Sequence, residues 1–280
     1  MREVHVSQIV EAVKKLCINA NYYMTEDIRN VIEKARSEET FEIAENILDK
    51  ILLNGDIAKD ENVPICQDTG MCLVFITLGQ EIHIVGGGLE EAINEGVRQG
   101  YEEGYLRKSV VNDPIIRINT KDNTPAIINY EIVKGDKFKI TVAPKGFGSE
   151  NMSALKMLKP SDGVEGVKKF ILQTVKDAGP NACPPLVIGV GIGGSFDKVT
   201  LLAKKALIRS TEERNKDEYY RSLEEELLEK INALGIGPQG FGGKTTALAI
   251  NIETYPTHIA GLPVAVNINC HATRHAEIEL

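Results

Sequence analysis

Four apolar runs constrain the fold most: MCLVFITLG (71–79), PLVIGVGIGG (185–194), TALAINIET (246–254) and PVAVNINC (263–270). The Val, Ile, Phe and Thr content of the first suits a buried strand better than a helix. The other three read the same way. Between them lie segments at helix spacing, LEEAINEGVRQGYEEGYLRKS (89–109), DGVEGVKKFILQTVKDAG (162–179), FDKVTLLAKKALIR (196–209) and EYYRSLEEELLEKINALG (218–235). Val4, Ile9, Val13 and Leu16 open the chain at helical spacing, and ETFEIAENILDKILLN ends in Asn-Gly, so the first 55 residues or so are predicted helical. IINYEIV and KFKITVAP flank Lys134-Gly135-Asp136-Lys137, a hairpin by alternation and turn chemistry. Strands and helices interleave without the regular spacing of a doubly wound sheet, which predicts an α+β (mixed α/β) fold with mixed or antiparallel sheets. No linker, low-complexity run or fixed-period repeat divides residues 1–280, so a single domain is expected.

A net charge of −8, with 32 Lys+Arg against 40 Asp+Glu, argues against binding phosphate backbones, and the absence of Trp argues against a base-stacking surface. A small anionic substrate stays open, because a few arginines set the local potential of a cleft. The N-terminal segment reads as an amphipathic helix without the apolar core of a signal peptide. No run reaches the roughly 18 to 20 apolar residues of a membrane span. Five cysteines, an odd number in a long chain, fit a reducing cytoplasm better than a disulfide framework.

Two glycine loops invite nucleotide readings. QGFGGKTT fails as a phosphate loop because Pro238 stands where the first Gly is needed. GVGIGG (189–194) does match G-x-G-x-x-G, but no acidic residue closes a second strand about 20 positions on. Glycines that let backbone crowd together explain both loops as well.

The cysteines divide. Cys17, on the apolar face of the first helix, and Cys72, opening an apolar run, read as small buried hydrophobes. Cys66 precedes polar Gln-Asp-Thr-Gly, Cys183 precedes two prolines, and Cys270 ends a strand ahead of HATRHAE, so each lies beside a turn as a ligand or nucleophile candidate. Their wide spacing is unlike a zinc knuckle. Three soft sulfurs suit an iron-sulfur cluster with one open iron.

PICQDTG, KGFGSENMS, GPNACPPLVIGVGIGG, QGFGGKTTAL and YPTHIAGLPVAVNINCHATRHA together resemble the α subunit of the two-subunit class I fumarate hydratases and their L-tartrate dehydratase relatives, in order over nearly the whole chain. The resemblance implies a [4Fe-4S] cluster on Cys66, Cys183 and Cys270, with the open iron acting on a small dicarboxylate. It implies Gln67 and Arg107 as substrate-binding residues, Asp68 and His258 as catalytic residues, and oxygen lability. It further implies a β subunit that supplies the remaining half of the site, including the base, in an α2β2-type assembly. The activity expected is fumarate hydration to (S)-malate, with L-tartrate dehydration as the alternative and a non-catalytic iron-sulfur scaffold or sensor as the reading from another class. Lys244 reads as a pocket residue or a surface charge, and His271 and His275 have no assigned role.

Overall fold

The structure is a computed structural model, and it describes residues 2–280. The elements run β1 (Arg2–His5), α1 (Val6–Tyr22), α2 (Glu26–Glu38), α3 (Glu42–Glu61), β2 (Met71–Gly79), β3 (Ile82–Val85), α4 (Leu89–Glu103), β4 (Ile127–Val133) and β5 (Phe138–Lys145). They continue with α5 (Phe147–Glu150), β6 (Ala154–Leu158), α6 (Gly163–Ala178), β7 (Leu186–Gly193), α7 (Phe196–Ala206), α8 (Glu218–Asn232), β8 (Ala247–Tyr255), β9 (Leu262–Asn269) and β10 (Ala276–Glu279). This is the mixed α+β fold expected. The helical start is present as α1 to α3, preceded by a four-residue strand that pairs in parallel with β3. The described residues divide into two compact units, 2–24, 55–147 and 274–280 in the first, and 25–54 and 148–273 in the second.

In the first unit the sheet order is β10-β5-β2-β4, with β2 antiparallel to β5 and parallel to β4. The hairpin expected between β4 and β5 is therefore absent, and β2 occupies the place between them. Burial explains the substitution. Cys72 to Ile76 are all buried, so β2 needs a partner on both edges, whereas β4 is half-exposed and tolerates the rim. The Lys134–Lys137 turn crosses the end of β2 instead of closing a hairpin, and the Gly79 amide donates to the Lys137 carbonyl at 2.7 Å. The core beneath is built by α1 and α4. Their backbones meet at Gly96 and Gly100, where an added Cβ would come within 2.7 Å of the Val13 Cβ and 2.9 Å of the Cys17 Cβ.

The second unit repeats this topology with other elements. Its order is β6-β9-β7-β8, with β7 antiparallel to β9 and parallel to β8. All eight residues of β7 are buried. Its glycines accept the helix that follows the strand: a Cβ on Gly189 would lie 2.2 Å from the Ala203 carbonyl oxygen, and one on Gly191 would lie 2.1 Å from that of Val199. GVGIGG is thus a packing device for α7. QGFGGK is also structural. The buried Glu39 carboxylate accepts the amides of Thr40, Phe41 and Lys244, and Lys244 Nζ donates to the Glu38 carbonyl at 2.8 Å.

Two stability predictions follow from this packing. Gly191→Ala lowers the urea midpoint, at a cost of about 1–3 kcal/mol or more from overpacking, while Gly148→Ala, with nothing within 4 Å of the new Cβ, leaves it unchanged. Burial raises the Glu39 pKa, but the amides of Phe41, Lys244 and Thr40 outweigh it and hold the carboxyl below its ordinary 4.5. A folded value below the unfolded one gives stability that is present above pH 4.5 and lost as pH falls through the folded value. Wild type is therefore more stable than Glu39→Gln by roughly 1–3 kcal/mol at pH 7, and chemical denaturation at falling pH shows the gap closing below pH 4.5.

Candidate active site

In the first unit, the loop from Pro64 to Gly70 leads into β2, and its backbone is clamped from several directions. The Ile65 amide donates to the Asn21 carbonyl at 2.9 Å. The buried Tyr101 hydroxyl donates to the carbonyls of Thr69 (2.8 Å) and Gly70 (3.1 Å), and Asn123 Nδ2 also reaches the Gly70 carbonyl. Gly70 has φ +75°, and a Cβ there would lie 2.6 Å from the Lys145 main-chain carbon, so only glycine fits. Several backbone polar groups of this turn are therefore spent on structure.

Those side chains include most of the first-unit residues expected from the sequence. Cys66 is half-buried, with Sγ 3.3 Å from Gln67 Oε1, and Gln67 is exposed. Asp68 Oδ1 accepts the Gly70 amide at 3.0 Å and Oδ2 accepts the Phe147 amide at 2.9 Å, which fixes the carboxylate and leaves each oxygen further lone-pair capacity. Arg107 joins the same corner through its backbone. Its amide donates to Thr69 Oγ1 at 2.9 Å, that hydroxyl donates back to the Arg107 carbonyl at 3.2 Å, and the guanidinium is left exposed. Arg274, which sequence reasoning missed, is buried and donates from Nη2 to the Asp68 carbonyl. Nothing in HATRHAE marked it, because a single arginine ahead of a short strand carries no periodic signal.

In the second unit, Cys183 and Cys270 occupy one corner. A tight turn over Gly179–Ala182 places Cys183 in the left-handed region (φ 53°) just ahead of β7. Cys270 directly follows β9, whose Asn269 is paired with Val187 of β7. The strand register therefore brings the two cysteines to the same end of the sheet. His271 ties the corner together, its amide donating to the Cys183 carbonyl at 3.3 Å. Its Nδ1 lies 3.1 Å from that carbonyl and 3.0 Å from Gln239 Nε2. Cys183 is exposed and Cys270 half-buried.

His258 lies elsewhere. It is exposed on the loop between β8 and β9, and its Nδ1 accepts the Ala260 amide at 3.2 Å, which leaves the proton of the neutral ring on Nε2. It borders a cavity of about 370 Å³ with Val164, Tyr219, Tyr220 and Leu223. The eight residues of β9 separate His258 from Cys270, roughly 26 Å at an extended rise. Within one copy of the chain, His258 does not share the corner of Cys183 and Cys270.

The other two thiols are unsuited to binding a metal. Cys17 and Cys72 are buried with their sulfurs 3.8 Å apart, and the neighbouring Cys72 thiol together with burial pushes the Cys17 thiol well up. The chain thus keeps three cysteines on loops at strand ends and seals two in the core. Cysteine sulfur is the donor type that an iron-sulfur cluster takes. Among the described residues, no three His, Cys, Asp or Glu side chains already stand as a metal-binding group. Likewise, no helix among them is long and apolar enough to cross a membrane.

A family model described as fumarate hydratase (Fumerase) matches residues 10–279. A Methanocaldococcus jannaschii protein, named as a candidate L(+)-tartrate dehydratase subunit alpha, is 46% identical over 275 residues, covering 96% of each chain. The L(+)-tartrate dehydratase subunit alpha of Escherichia coli strain K12 is 30% identical over 277 residues, 98% of this chain and 91% of that one. That of Escherichia coli O157:H7 is 31% identical over the same length. With almost its full length covered, the chain belongs to the fumarate hydratase (Fumerase) family.

Proposed function

We propose that this chain is the α subunit of a hydro-lyase that adds water to, or removes it from, a four-carbon dicarboxylate, interconverting fumarate and (S)-malate. The observation that carries the reading is the Cys66–Gly70 loop, which is clamped at Thr69 and Gly70 and carries Cys66, exposed Gln67 and a carboxylate fixed by two amides, with the Arg107 backbone bonded to it. L(+)-tartrate dehydration is a second reading, favoured by the names of the similar chains. Both reactions break a carbon–hydroxyl bond beside a carboxylate, and one substrate hydroxyl separates them.

Cys66, Cys183 and Cys270 would hold a [4Fe-4S] cluster. When bound, it supplies a Lewis-acidic iron that stabilises the departing hydroxide. The chain's own residues do the rest of the work on this side of the reaction. The Arg107 guanidinium grips a substrate carboxylate with two parallel donors. Gln67 orients the substrate by hydrogen bonding. The Asp68 carboxylate, already fixed by two amides, uses its remaining lone pairs to orient the substrate hydroxyl or the incoming water by accepting a hydrogen bond from it. His258 has no part in this arrangement within one copy of the chain. A β subunit completes the site and brings the group that removes the carbon-bound proton, in keeping with the subunit alpha names of the similar chains.

The purified chain, reconstituted without oxygen, is expected to be inactive alone and to hydrate fumarate or dehydrate L(+)-tartrate when co-expressed with its β subunit. Full activity from the single chain, or none on either substrate with the partner present, contradicts the reading. In the active complex, Arg107→Ala raises KM roughly 10- to 100-fold, the equivalent of ~1.5–3 kcal/mol for a charge-assisted bond. Arg107→Lys recovers only part of the loss, because an ammonium lacks the planar fork. Steady-state kinetics on the two variants check both statements.

A further inference from the structure

The mechanism above leaves one buried charge unused. Arg274 is 5% exposed, yet it has no carboxylate partner. Its Nε and Nη1 are buried without a hydrogen-bond acceptor, and its Nη2 donates to the main-chain carbonyl of Asp68. The fold delivers it there deliberately: β10 pairs with β5 so that Ala276 lies opposite Val142, which sets Arg274 beside the end of β5 and the Lys145–Phe147 turn. Gly146 keeps the space between the two groups narrow. A Cβ on it would lie 3.1 Å from Asp68 Oδ2 and 3.8 Å from Arg274 Nη2.

An under-satisfied buried cation costs folding free energy, and replacing such a group with an apolar side chain of similar size is often neutral or stabilising. Stability alone therefore gives no reason to keep an arginine at this position. Geometry does give one. The Asp68 carboxylate is aimed by the amides of Gly70 and Phe147, and the Arg274 guanidinium holds the main-chain carbonyl of the same residue.

We propose that Arg274 is a positioning residue, which pins the Asp68 carbonyl and thereby aims the Asp68 carboxylate. The role rests on the hydro-lyase reading of Asp68. The segment leading into β10 thus contributes to the site without touching substrate.

The test compares Arg274→Met and Arg274→Lys in the cluster-loaded chain with its β subunit. In Arg274→Met, kcat falls about 10- to 100-fold, as expected for a misplaced catalytic group, while KM stays within about threefold and the melting temperature is unchanged or raised. Arg274→Lys, which can still donate to the Asp68 carbonyl, recovers part of kcat. Amide hydrogen exchange at Gly70 and Phe147 is faster in Arg274→Met than in wild type. A loss of kcat that only follows a fall in melting temperature, with Lys no better than Met, overturns the proposal and makes the residue merely structural. Unchanged kcat with unchanged exchange at both amides overturns it too. If the wild-type complex acts on no dicarboxylate, the functional reading fails by itself, and the exchange rates still decide whether Arg274 holds the loop.

Discussion

Each four-stranded sheet depends on a central strand that cannot be left at an edge. β2 and β7 are buried along most or all of their length, so each must spend its backbone groups on two neighbours. In both sheets one neighbour is parallel and the other antiparallel, and the strands that supply them are consecutive in the chain: β4 and β5 around β2, β8 and β9 around β7. A hairpin in either place would leave the central strand with one edge unpaired. The same constraint dictates the glycines of β7, because a strand this deeply covered must admit α7 against its own backbone.

The placement of chemistry follows from that topology. The loop entering a buried central strand has to turn tightly at the sheet end, and its backbone groups are satisfied by clamps of the kind seen at Thr69 and Gly70. Cys66 and Cys183 both lie on such entry loops, one per unit. Cys270 lies at the end of the antiparallel neighbour β9, beside the start of β7, where the register leaves it next to Cys183.

Much of this was legible in the sequence, for local reasons. The apolar runs marked β2, β7, β8 and β9, because burial on both faces leaves little room for polar residues. The neighbours of each cysteine separated the accessible thiols from the core pair, since prolines and polar turn residues set them at strand ends. Strand order was not legible. IINYEIV and KFKITVAP carry the pattern of a hairpin, and only competition from the more apolar β2 separates them. Arg274 was hidden for a related reason, as its importance lies in a contact with Asp68 more than 200 residues away, which no local pattern encodes. The distance of His258 from Cys270 was equally invisible: twelve positions in sequence look close, but most of them are one extended strand.

The central claim is that the three loop cysteines, and not the buried pair, bind an iron-sulfur cluster. Iron and acid-labile sulfide content, measured on anaerobically reconstituted protein, tests it most directly. The account predicts about four irons per chain, lost in Cys66→Ala, Cys183→Ala and Cys270→Ala and kept in Cys17→Ala and Cys72→Ala. Absence of a cluster in the wild type, or a cluster that needs Cys72 and survives without Cys270, would contradict it.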